Sequence, residues 1–129
     1  MLEAHRILAP LELGKQLVFV GFAGEEQGLV GSAACAEIAV RDGWPIHMML
    51  NLDMLGHRPA RPEAPLVIEY DQGNVTPGND AAAQAFGQEA ARLAALHTSL
   101  VTTYTDIWSS DYMPFEAQGF PCIGLFDGG

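Results

Sequence analysis

Two short, almost wholly apolar runs, residues 16–23 (QLVFVGFA) and 46–52 (IHMMLNL), each lead into carboxylates: Glu25 and Glu26 after the first, Asp53 after the second. Runs of that length without polar alternation read as strands covered on both faces, as in an α/β sheet. Between them, residues 28–41 (GLVGSAACAEIAVR) are small and apolar, which suits a helix lying close on a sheet, and Asp42-Gly43 closes it. Buried strands alternating with helices predict an α/β fold, a twisted, mostly parallel or mixed sheet with helices on both faces. Open sheets of this kind place their sites at the carboxyl ends of strands, which is where these acids fall.

The rest of the chain follows the same grammar. Residues 2–8 read as a helix ended by Pro10. It starts abruptly, without a capping residue, so the domain is expected to be truncated at its N-terminus. Pro59, Pro62 and Pro65 make a loop, and residues 66–70 (LVIEY) read as a third strand, nearer an edge. Residues 71–79 are loop again. Residues 80–97 give the clearest helix, with eight alanines and a cap from Asn79 or Asp80. Residues 100–103 suggest a strand, 104–110 a polar loop, 111–118 a short helix ended by Gly119, and 121–126 (PCIGLF) a last buried strand. No internal repeat appears.

Charge removes several functions. Six basic and sixteen acidic residues leave a net charge of −10, which disfavours nucleic acid and anionic membrane surfaces as partners. The hydrophobic fraction of 49% and charged fraction of 17% fit a core-rich domain, part of whose surface other protein covers. No run approaches the roughly 18 apolar residues that a membrane-spanning helix needs. The first residues lack the basic start and apolar run of a secretion signal. Cys35 and Cys122 form no CxxC pair and read as two buried free thiols, with a disulfide as the alternative.

Neighbouring residues at a strand end point in different directions. One of Glu25 and Glu26 can therefore hold a metal while the other reaches a water or substrate, the two tasks of a two-metal hydrolase. The same pair also fits a solvated start of a helix, favoured by the helix dipole. Asp53, so close to an apolar strand, reads either as a metal ligand or as a turn-forming aspartate, with Asn51 tying backbone. His57 reads as a surface residue or one lying behind a ligand, His47 as a hydrogen-bonded residue of its strand, and His5 and His97 as exposed helix residues. No HExxH, GxSxG, GxGxxG or GxxxxGK pattern is present. Gly21, Gly24 and Gly28 read as packing and turn glycines.

Three ordered stretches, LVFVGFAGEEQGLVGSAAC (17–35), MLNLDMLG (49–56) and SSDYMPFEAQGFPCIGLFDGG (109–129), together resemble the co-catalytic zinc aminopeptidases, a family of mostly bacterial secreted enzymes and related exopeptidases. The resemblance runs through nearly the whole chain. It implies a zinc exopeptidase-like fold, two zinc ions, and a peptide substrate with a free N-terminus. It implies Glu25 as general base, Glu26 as ligand to one ion and Asp53 as ligand to the other. Asp111 and Tyr112 fall in a segment that lines the site. That segment commonly reads serine, aspartate, histidine, and here Tyr112 stands at the histidine position.

The resemblance also implies that residues 1–129 are a partial catalytic domain. The family's first histidine and bridging aspartate precede the first helix seen here, and its last histidine follows the final strand. The isolated chain is therefore expected to be inactive, to bind zinc weakly, and to self-associate through an exposed sheet edge or apolar face. Two other readings stay open: a non-catalytic receptor-like or scaffold member of the fold, and a related zinc exopeptidase or glutaminyl cyclase-like enzyme. The wording GEEQGLVGS favours the aminopeptidases. A secreted or periplasmic parent would fit the family.

Overall fold

The computed structural model describes residues 1–56 and 64–128. Its elements are α1 (Leu2–Leu8), α2 (Val30–Arg41), β1 (Met49–Leu52), β2 (Leu66–Tyr70), α3 (Asp80–His97), β3 (Thr102–Asp106), α4 (Met113–Glu116) and β4 (Cys122–Asp127). Among the described residues the sheet has four strands in the order β1-β4-β2-β3. β1 runs parallel to β4 and β2 parallel to β3, while β2 and β4 are antiparallel. The carboxyl ends of β1 and β4 therefore share one edge with the amino ends of β2 and β3.

Each face of the sheet carries its own core. On one, Ile68, Tyr70 and Ile123 pack against Ala83 and Ala91 of α3. Ala83, Gly87 and Ala91 lie buried at four-residue spacing, so the helix presents only small groups to the strands and sits close. On the other face, Cys122 packs with Ala36 of α2 and with Ile107, Tyr112 and Phe115. Cys122 and Ile123 thus serve opposite cores, as the two-residue strand period requires. The expected mixed sheet with helices on both faces is present.

Some expectations need correction. Residues 16–23 are extended but belong to no strand, and Leu17, Val18 and Val20 are exposed. An apolar run specifies burial, yet burial needs covering elements. The described residues cover this run only in part, at Phe19, whose ring meets His5 at 5.1 Å, and at Phe22, whose ring meets Phe115 at 5.9 Å. β2 is interior rather than near an edge, hydrogen-bonded to β3 and β4, and its residues 67–70 are all buried. β3 runs to Asp106, through residues expected to be loop, because Tyr70 and Asp106 pair at the end of a five-residue parallel register. His47 is exposed just before β1 rather than inside it, and accepts a hydrogen bond from Lys15 Nζ at 3.1 Å. Both cysteines are free, but only Cys122 is fully buried; Cys35 is half-buried. His57, Pro59 and Pro62 lie outside the described residues.

Candidate active site

The turn after residues 16–23 is built from its backbone outward. The N–H groups of Gly28 and Leu29 donate to the Glu25 carbonyl at 3.0 and 2.9 Å, and Val30 N–H donates to Gly24 O at 3.0 Å. Gly24 and Gly28 take left-handed backbone, φ 74° and 102°, so they act as turn glycines, as expected. Leu29 is also left-handed, at φ 61°, and so is Met54, directly after Asp53, at φ 49°. Left-handed backbone in a residue with a large side chain costs about 1 kcal/mol and is concentrated at functional sites. Here one such residue flanks each acid cluster.

Asp53 is held from two sides. Its N–H donates to Leu125 O at 3.2 Å, across to β4. Its Oδ2 accepts from Ser110 Oγ at 2.8 Å, and Ser110 Oγ in turn accepts from Asn51 Nδ2 at 2.8 Å. Asn51 and Ser110 are buried and Asp53 is half-buried. This relay fixes the Asp53 carboxylate while leaving its Oδ1 free of protein donors among the described residues.

Electrostatics shows which acids come together. Partial burial pushes the Glu25 carboxyl above its ordinary value, and the negative charges of Glu26, Asp53 and Asp111 push it further. Four of the five residues singled out in the sequence therefore lie within electrostatic reach of one another, without three of them converging on one metal position among the described residues. Glu25 is half-buried and Glu26 exposed. Asp111 Oδ1 is buried without a hydrogen-bond partner among the described residues.

Tyr112, the fifth, is fully buried behind this group. Its hydroxyl donates to Glu69 Oε2 at 2.9 Å. Burial raises the phenol's pKa strongly, and the Glu69 charge adds to it, so the phenol stays protonated. Glu69 itself is pushed up by burial, Tyr112 offsets part of this, and Asp53 adds to it. Gly124 makes room for the pair: a Cβ there would stand 2.7 Å from both Glu69 Oε2 and the Tyr112 ring.

Sequence reasoning missed the Asn51–Ser110 relay and Glu69. Both had a signal. Asn51 is two residues before Asp53, hence on the same face of the strand. Glu69 is the one carboxylate inside the apolar run LVIEY.

Four acids and an unpartnered buried oxygen suit a cation, and carboxylate oxygens are ordinary zinc donors. The donor set falls short of a complete centre. Among the described residues no three His, Cys, Asp or Glu side chains are placed to hold one metal ion. The described histidines are elsewhere: His5 lies edge-on to Phe19 at 5.1 Å, His47 beside Lys15, and His97 at the end of α3.

Comparison with known proteins shows the family and the fold. The model of peptidase family M28 matches residues 1–129. Proteins described as probable zinc metalloproteases from Phaeosphaeria nodorum and Pyrenophora teres f. teres are each 41% identical over 59 residues, 46% of this chain. The chain spans 12% and 13% of those relatives. Among solved structures, the LapA aminopeptidase of Legionella pneumophila superposes with a TM-score of 0.69 at 18% identity, over 98% of this chain and 33% of that one. The aminopeptidase of Aneurinibacillus sp. strain AM-1 gives a TM-score of 0.57 at 26% identity, over 82% and 23%.

Proposed function

This chain belongs to peptidase family M28, and from that premise we propose that it forms part of the catalytic domain of a two-zinc aminopeptidase. Glu25 is the general base, which takes a proton from the attacking water and returns it to the leaving amine. Glu26 and Asp53 are the zinc ligands, one for each ion. Asp111 lines the site, and Tyr112 backs it through Glu69. The substrate is a peptide with a free N-terminus, whose amino group finds its counter-charge among these acids. The observation that supports the reading is that the charges of Glu26, Asp53 and Asp111 are felt at Glu25.

The isolated chain is inactive on this reading. One carboxylate per ion does not fix a coordination sphere or hold a water in line for attack. Zinc titration by calorimetry, with a Glu26→Ala, Asp53→Ala double variant as control, tests it. Weak zinc binding that the double variant abolishes is expected, with no hydrolysis of aminoacyl-anilides. Hydrolysis that a chelator stops would overturn the inactivity. Zinc binding that survives loss of both carboxylates would overturn the ligand assignment.

A further inference from the structure

A second pair of acids lies buried away from Glu25 and takes no part in the site. Asp71 follows β2 and Glu116 ends α4, and both are wholly inaccessible to solvent. Asp71 Oδ1 accepts from the N–H groups of Gly73, Asn74 and Val75 at 2.8, 2.7 and 3.2 Å, and Oδ2 from that of Thr76 at 2.7 Å. Burial opposes its charge, but these four donors outweigh burial and hold Asp71 below the usual carboxylate range. Glu116 is less well served. Its Oε1 accepts from Asn79 Nδ2 at 2.6 Å, while its Oε2 is buried without a partner among the described residues.

The Glu116 carboxyl lies against that of Asp71, with the Cys122 thiol, which donates to Phe120 O at 3.2 Å, nearby. The groups facing it are therefore Asp71 from the end of β2, the neutral amide of Asn79 from the cap of α3, and Cys122 from β4. Among the described residues no cation stands with them. Burial, followed by the Glu116 charge, pushes the Cys122 thiol up, so it stays protonated and uncharged. A single proton held between the carboxyls gives the unpartnered Oε2 its hydrogen bond and removes one of two buried charges.

We propose that Asp71 and Glu116 share one proton and form a pH-sensitive latch, tying α4 to the turn after β2 and to the start of α3. The latch has reach, because α4 directly continues the segment of Ser110, Asp111 and Tyr112. Asn79 strengthens the tie, since its Nδ2 also donates to Phe120 O at 3.1 Å.

The direction of the pH response follows from the protonation states. Burial pushes the Glu116 carboxyl up to about 7, Asn79 offsets part of this, and Asp71 adds to it. In the unfolded chain the same carboxyl titrates near 4.5. The folded chain therefore binds the extra proton between these values. The stabilisation is complete below about 4.5 and is lost as pH rises through about 7. Over that window the folding equilibrium constant falls roughly a hundredfold. Asp71 acts oppositely and at more acid pH, since its depressed pKa gives stability that is lost as pH falls.

The test is a titration of the side-chain carboxyl carbons by NMR in the whole chain, from about pH 4 to about pH 9. Urea unfolding of the wild type and of Glu116→Gln is measured over the same range. Glutamine keeps an acceptor for Asn79 and offers Asp71 an N–H in place of the shared proton. The expected results are a Glu116 carboxyl that titrates near neutrality and a variant that lacks the wild type's roughly hundredfold fall. Glu25 and Glu69 are unchanged in the variant, so the difference belongs to Glu116. A Glu116 carboxyl that titrates in the ordinary range overturns the proposal, and so does a variant with the full wild-type fall. If the variant does not fold, the wild-type titration decides alone. Neither readout depends on zinc or hydrolysis.

Discussion

Ser110 donates to Asp53 and accepts from Asn51, so one hydroxyl is used twice where solvent does not reach. Ser110→Ala removes both bonds and leaves the Asn51 amide buried without an acceptor. Losing a buried partner costs about 1–3 kcal/mol. The expected outcome of urea unfolding is destabilisation in that range, with Asn51→Ala, Ser110→Ala adding little to either single change because the residues act as one unit. At this scale Glu25, Glu26 and Asp53 stood out in the sequence because each follows an apolar run, and Asp111 only through the family resemblance. The groups that hold them were not, because Ser110 is 57 residues from Asp53 and their meeting depends on how the chain returns beneath the sheet. Tyr112 shows the same limit. Its place beside Asp111 is plain in the sequence, but the carboxylate it meets, Glu69, is 43 residues away.

β4 is the element on which the two ends of the site converge, since it pairs with β1 on one side and β2 on the other. Gly124 sits in register with both Asn51 and Glu69. Gly124→Ala drives a methyl into the Glu69 carboxylate and the Tyr112 ring, each at 2.7 Å. Such overpacking costs about 1–3 kcal/mol. The expected result is a lowered midpoint of thermal unfolding, measured by circular dichroism. Elements whose signal is local were the most legible. α3 spans Asp80–His97, the range its alanines indicated, although the Asn79 side chain makes no capping hydrogen bond and turns to Glu116 and Phe120 instead. β2 was misplaced toward an edge because strand order is not written in a single strand's composition. β3 was cut short because Tyr104 and Asp106 are polar or amphipathic and exposed, and only pairing with β2 draws them into the sheet.

At the scale of the whole molecule, residues 16–23 show a conflict between sequence and surroundings. The run has the composition of a doubly covered strand, yet Val18 is 63% exposed and Leu11, Leu13, Leu17 and Val20 are exposed with it. Scattered apolar residues on a surface mean little, but a contiguous patch of this kind favours association. Opposing it is the net charge of −10, which makes two copies repel at long range. Salt decides between the two effects. Repulsion is screened within about 8 Å at physiological ionic strength, whereas apolar burial is not weakened by screening. The chain is therefore expected to self-associate with rising concentration, more strongly at high salt than at low salt, as measured by light scattering. A Leu17→Lys, Val18→Lys variant should remain monomeric under the same conditions, because a second chain would then have to bury two charges to cover the patch. A wild-type chain that stays monomeric at high concentration and high salt would show that the run is covered within one molecule, in an arrangement where residues 16–23 do pair as a strand.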